Sequence, residues 1–228
     1  MDNIFRKGYI LMKPARGQNI RRVKMRRCLP AILLLLTCIV SVPWNAGAGT
    51  PLEELKCTVD KITGVLDDKA LRESLGRDAL LAKLTKVSQD GFDWEEIAER
   101  SLGLYWKERT AEEKSEFTRL LKNLLLDSYL TKIIDNYSGE SVIFDKEIVE
   151  GERAQVESRI VNKAEKSIVI GARLMKKDNK WLVYDLIIEG VSSLKNYRAQ
   201  FYDIIRQSSY SELLKRLKEK QKIEPVAS

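Results

Sequence analysis

The feature that most restricts this chain is a hydrophobic period that changes twice. From Pro51 to Tyr137 apolar residues recur every three or four positions; from Ser141 to Gly190 they alternate; after Gly190 the helical spacing returns. Spacing of three and four lays one apolar stripe along a helix, and alternation gives a strand one apolar face. Helices, then a run of strands, then closing helices predict an α+β domain, not alternating βαβ units.

Within that frame the elements can be placed. Leu52, Leu55, Val59, Ile62 and Leu66 form a first stripe, and Leu80, Leu81, Leu84 and Val87 a second. Asp93 caps a short third helix with Trp94, Ile97 and Ala98 inward. Thr110 followed by Glu113 is a capping box. It opens the longest helix, which carries Phe117, Leu120, Leu121, Leu124, Leu125, Tyr129, Ile133 and Ile134. Four alternating runs follow, over 142–149, 154–161, 167–175 and 181–189, punctuated by Gly151, by 162–166 and by Asp178-Asn179. Short linkers make them antiparallel neighbours. Val156 and Ile160 share one strand face, with Gln155, Glu157 and Arg159 on the other. The fourth run is apolar on both faces except at Asp185, so it should be the most buried strand. Gly171 inside the third run suggests a bulge. Two closing helices carry Leu194, Tyr197, Phe201, Ile204 and Ile205, then Leu213, Leu214 and Leu217 after Ser209.

Charge matters only once it is divided along the chain. The formal net charge is +7, but nine of the 40 basic residues and one of the 33 acidic ones lie within residues 1–48. The remaining 180 residues carry 31 basic and 32 acidic groups, a net of −1, which removes the ground for nucleic-acid binding. Basic residues closing at Arg26-Arg27, an apolar run over 29–42, then Pro43 and Ala46-Gly47-Ala48 describe a secretory signal peptide, with cleavage expected after Ala48. A retained anchor is the competing reading, although about 14 apolar residues fall short of the ~20 that span a bilayer. Met25 would itself start a compact signal, and Thr37 stands where lipidation of Cys38 would want a smaller residue. Residues 49–228 then form a single domain large enough for a sizeable core. Only Cys57 survives processing, and on a helix it reads as a small half-buried apolar residue. Histidine is absent, so no Ser–His, Cys–His or His–metal site exists. No catalytic residue, metal or cofactor is expected.

Four strings, in this order, carry a resemblance: LGLYW at 102–106, the T-x-x-E-x-x-x-F start at 110–117, WLVYDLIIEGVS at 181–192 and NYRAQF at 196–201. Together with the export signal they resemble the MlaC, or toluene-tolerance, family. The resemblance implies a periplasmic phospholipid carrier serving a lipid-trafficking ABC transport system. Its fold would hold a four-stranded curved sheet against N-terminal helices, with two C-terminal helices enclosing an apolar cavity for acyl chains. Its partners would be an inner-membrane Mla transporter complex with a hexameric lipid-binding ring and an outer-membrane Mla lipoprotein complex. Outer-membrane lipid asymmetry would depend on it, and a shuttle is most simply a monomer.

On this reading the residues expected against lipid are Tyr105, Trp106, Phe117, Leu121, Leu125, Tyr129, Val183, Leu186, Ile188, Val191, Tyr197 and Phe201. Each also has a packing reading. Tyr105 and Trp106 close either a pocket mouth or the core, and Tyr197 and Phe201, one turn apart, touch either acyl chains or the sheet. Arg198 is expected to pair with Asp185 or Glu189, or with a lipid phosphate. The basic C-terminal helix, with Lys215, Arg216, Lys218, Lys220 and Lys222 beside Glu212 and Glu219, presents a solvated face or meets anionic headgroups or an acidic partner surface. Three alternatives stay open: the same fold carrying a polycyclic, hopanoid-like lipid; a ketosteroid-isomerase-like enzyme using Asp185 or Glu189 as base; and an adaptor with a filled core.

Overall fold

Backbone donors at helix starts explain where the helices of this chain begin. The computed structural model describes residues 49–223. The expected signal peptide, its cleavage point, Cys28 and Cys38 lie outside the described residues. Thr50 caps the first helix, α1 (Pro51–Asp67), through Glu53 N–H at 3.2 Å, while the Glu53 carboxylate accepts from Thr50 N–H at 2.8 Å. Two of the helix's orphan donors are thereby satisfied. Asp68 caps a short α2 (Lys69–Ser74), which the apolar spacing does not reveal, and α3 (Arg77–Ser88) follows. Asp93 caps α4 (Trp94–Leu102) by accepting from Glu96 N–H at 3.0 Å. A 3-10 segment, Gly103–Glu108, leads to α5 (Ala111–Asn136), whose capping box at Thr110 and Glu113 forms as its spelling predicts.

The strands are β1 (Ser141–Glu150), β2 (Arg153–Val161), β3 (Ser167–Lys177) and β4 (Lys180–Ile188), and a two-residue β5 (Val191–Ser192) adds to them. All neighbours are antiparallel, in the order β1-β2-β3-β4-β5. The sheet is therefore five-stranded, not four-stranded. Glu189 and Gly190 explain the fifth strand: both take positive φ, at 49° and 80°, which turns the chain back onto β4. The same device closes β3 onto β4, where Asp178 and Asn179 sit at φ 48° and 62°. Helices α6 (Ser193–Gln207) and α7 (Tyr210–Ile223) complete the chain.

Gly171 makes no bulge; it pairs in register with Glu157 and Ile187. Two register shifts occur elsewhere. Asp145 is skipped in β1 and reaches across to Arg159 with two hydrogen bonds, at 2.7 and 2.8 Å. Tyr184 is skipped in β4, because Arg173 pairs with Asp185 while Leu174 pairs with Val183.

Burial follows the alternation. Ala154, Val156 and Ser158 are buried while the residues between them are not. Leu55 of α1 packs with Ala154, Val156, Ala172, Leu174, Trp181 and Val183. A second cluster joins Phe117, Leu120, Leu121 and Leu124 of α5 to α4, to Leu194 and Phe201 of α6 and to Leu213 and Leu217 of α7. A third joins α1 and α3 to Leu126 and Leu130 of α5. Strand β4 meets α1, α4 and α6, which accounts for its doubly apolar sequence. Cys57 is exposed, not half-buried, because it faces away from the apolar stripe of α1.

Gly103 is held both by its backbone angle and by its neighbour. It has φ +52°, and a Cβ there would lie 2.3 Å from the Tyr202 hydroxyl. That hydroxyl accepts Leu104 N–H at 3.0 Å and its ring meets Tyr105 edge-on at 5.0 Å. Gly103→Ala is expected to destabilise by about 1–3 kcal/mol from backbone strain, with loss of the Tyr202 contact adding to it. Chemical denaturation checks this, and a variant as stable as the parent would contradict it.

Candidate functional site

Where the helices meet β4 their side chains do not fill the space. The cavity left there is about 80 Å3 as space open to the centre of a water-sized sphere; the empty space between its lining atoms, mouth included, is about 630 Å3. Helix α5 supplies Leu121, Leu125, Leu126, Tyr129 and Leu130, α4 supplies Trp94, Ile97 and Ser101, and β4 supplies residues 183–186. Ser193, Leu194 and Tyr197 of α6 close it, with Ser88 and Phe92 at its edge. No residue of α7 lines it.

Most of the polar groups in this wall are tied off. Ser88 donates to Leu84 O at 2.8 Å and Ser101 to Ala98 O at 3.0 Å. Tyr129 donates to Ser193 Oγ at 2.8 Å, linking α5 to the start of α6 across the cavity. Burial, helped by the neighbouring Tyr129, pushes the Tyr197 phenol above its ordinary value, so it stays neutral across the physiological range. The one carboxylate, Asp185, has a fully buried side chain. It accepts from Arg173 Nη1 at 3.0 Å, Ser192 Oγ at 2.7 Å and Leu194 N–H at 3.0 Å. Ser192 in turn caps α6, accepting Lys195 N–H at 3.0 Å. Asp185 therefore staples the strand to the helix that follows it.

Arg198 does not supply that partner. Its Nε donates to Arg100 O at 2.6 Å, while Arg173, directly opposite on β3, takes Asp185. Asp185 and Glu189, the two candidate bases, lie on different elements. Strand β4 ends at Ile188, and the Glu189 carboxylate accepts Val169 N–H at 2.6 Å from a turn.

Of the residues proposed from sequence, Leu121, Leu125, Tyr129, Val183, Leu186 and Tyr197 line the cavity. Trp106, Phe117 and Phe201 lie in the helical cluster, with Phe117 and Phe201 edge-to-face at 5.7 Å. Tyr105 packs on Tyr202; Ile188 pairs with Val191, which is 62% exposed on β5. The α4 wall was legible as an inward helix face, but its spacing does not say that the face borders unfilled space. Tyr184 and Ser193 carried no sequence signal. The basic residues of α7 are largely paired, Lys215 with Glu219, Arg216 with Glu212 and Lys218 with Glu116. Among the described residues no acidic, cysteine or histidine cluster could hold a metal ion, and no helix is long and apolar enough to cross a membrane.

Comparison with known proteins bears on this geometry. No curated protein matches the chain. A solved phospholipid-binding protein from Ralstonia solanacearum, in complex with a phospholipid, superposes with a TM-score of 0.63 over 73% of this chain and 94% of its own. At 22% identity that likeness is one of fold. The family model described as MlaC protein matches residues 56–219, from within α1 to within α7. With the match spanning the helices, the sheet and the cavity between them, the chain belongs to the MlaC family.

Proposed function

We propose that this protein is a periplasmic lipid carrier that holds phospholipid acyl chains in the cavity between β4 and helices α4, α5 and α6. The observation that carries the reading is an unfilled, apolar-walled space in a member of the MlaC family. The Ralstonia solanacearum protein of the same fold, solved with a phospholipid, supports the choice of cargo. Each methylene kept from water is worth about 0.8 kcal/mol, so some thirty of them in two tails would cost roughly 20–25 kcal/mol to expose. A sheath is then needed for any aqueous crossing. Donor, acceptor and carrier are all apolar, so loading and release stay close to balance and docking can tip either. The partners on this reading are an inner-membrane Mla transporter complex and an outer-membrane Mla lipoprotein complex, with outer-membrane lipid asymmetry as the outcome.

The cavity as it stands is small. A buried water needs about 10–15 Å3 of such space, so about 80 Å3 admits a few solvent-sized groups and not two acyl chains. Loading therefore requires the walls to part. The Tyr129–Ser193 hydrogen bond, joining α5 to α6 across the opening, is the contact that such parting would break.

Organic extraction of protein purified from its native host, followed by mass spectrometry, is expected to yield glycerophospholipid in stoichiometric amount. A polycyclic lipid in its place would change the cargo, and a clean extract would overturn the carrier reading. Leu125→Trp, which overfills the cavity from a half-buried wall position, should weaken lipid retention by about 5- to 150-fold, from the 1–3 kcal/mol that overpacking costs. Retention equal to the parent's would mean the tails lie elsewhere.

A further inference from the structure

A second cleft lies beside the first, and charged and amide side chains share its lining with Ile148, Ala154 and Tyr184. Arg153, Gln155, Arg173 and Glu150 line it together with Ile148, and Tyr184 lines both spaces. It offers about 240 Å3 to the centre of a water-sized sphere, against about 80 Å3 in the apolar cavity, while its total empty space of about 560 Å3 is slightly the smaller. The sheet register explains how it is assembled. Ile148, Gln155, Arg173 and Asp185 are successive cross-strand partners from β1 to β4, and Glu150 is the partner of Arg153. Directly opposed residues point to one face, so these groups converge over one surface of the sheet. The skipped residue in β4 is Tyr184, at the border between that surface and the cavity.

The charges of the cleft are arranged but not spent. Arg173 is held by the buried Asp185 through one nitrogen, leaving most of its five N–H donors for another acceptor. Among the described residues, Arg153 and Glu150 form no side-chain hydrogen bond and no ion pair, although they face each other across β1 and β2. Gln155 gives its amide N–H to Glu157 at 3.1 Å, which leaves its carbonyl oxygen as an acceptor. Two guanidinium donors beside one carboxylate and one amide oxygen complement a ligand bearing both an oxyanion and an ammonium group. A purely anionic ligand would meet Glu150 unfavourably.

We infer that this cleft binds the phosphate–amine headgroup of a zwitterionic phospholipid, with phosphate on Arg153 and Arg173 and ammonium at Glu150, while its tails pass Tyr184 into the apolar cavity. The inference rests on the carrier reading and adds selectivity to it. The test uses full-length protein stripped of lipid and then offered mixed vesicles of phosphatidylethanolamine and phosphatidylglycerol with identical chains. Recovered protein is extracted and both lipids are quantified. The expected result is a two- to fivefold preference, roughly, for phosphatidylethanolamine, the range of one exposed charge pair. Glu150→Gln should bring the ratio to about one, by removal of that pair, and Arg153→Ala should lower retention of both lipids. Equal uptake by the parent, or a preference that survives in Glu150→Gln, overturns the headgroup site while leaving the carrier standing. If neither lipid is retained, the carrier reading itself falls. Calorimetric binding of soluble glycerophosphoethanolamine as tight as that of the lipid would assign the cleft to a free metabolite and overturn the lipid inference.

Discussion

Phe117→Ala is expected to destabilise the protein by about 3–5 kcal/mol, the cost of emptying a fully buried aromatic site. The Phe117 side chain is 0% exposed. Its ring meets Phe201 edge-on at 5.7 Å and lies 6.4 Å from Tyr210, whose hydroxyl donates to Glu113 O at 3.2 Å. Burial and the charge of Glu113 push the Tyr210 phenol up to about 12, so its hydroxyl keeps its proton at ordinary pH. Three helices converge on the site, which limits how far it can collapse around the void. A midpoint lowered by roughly 6–20 °C follows for a domain of this size, readable by thermal melting. A loss under about 1 kcal/mol would show that Phe117 does not sit in filled core. Because Phe117 lies outside the cavity, lipid retention measured on the folded fraction should survive, which separates this variant from Leu125→Trp.

Asp185→Ala carries the second large effect, an expected loss of about 2–4 kcal/mol. Removing the carboxylate strips Leu194 N–H and Ser192 Oγ of their buried acceptor and releases Arg173. The Arg173 side chain is 35% exposed and regains water, which keeps the cost below that of a fully buried pair. Asp185→Asn should cost less, since an amide oxygen can still accept Leu194 N–H. Denaturant titration distinguishes the two, and an alanine variant within about 0.5 kcal/mol of the parent would contradict the staple. The result also bears on the isomerase alternative. A base must present a free lone pair to substrate, whereas donors from β3, β5 and α6 take three of the roughly four acceptor positions of this carboxylate.

How much of this was legible beforehand varies with the range of the interaction. Caps at Asp93 and Thr110 were readable because both partners lie within three residues. The strands were readable because alternation is local, and the Asp178-Asn179 turn because it needs residues that tolerate positive φ. The missed β5 had a signal of the same kind in Glu189-Gly190, but two residues are too few to show a period. Arg198, thirteen residues after Asp185, was expected to pair with Asp185 or Glu189, and the sheet register gave Asp185 instead to Arg173, twelve residues before it and directly opposite on β3. Among the residues expected against lipid, Leu121 and Phe117 belong to one α5 stripe and nothing local separates them, yet one borders the cavity and the other is sealed in core.

The amino-acid order alone determined the helix–sheet–helix succession, the strand pairing and the family strings, because propensity, capping and alternation act between residues close along the chain. Tertiary structure alone decided where packing stops short. A void is a property of three or four elements at once, set by the angles at which α4, α5 and α6 meet β4, and no single stripe records it. The same holds for the charged cleft, whose Arg153, Arg173 and Glu150 become neighbours only when β1, β2 and β3 lie in register.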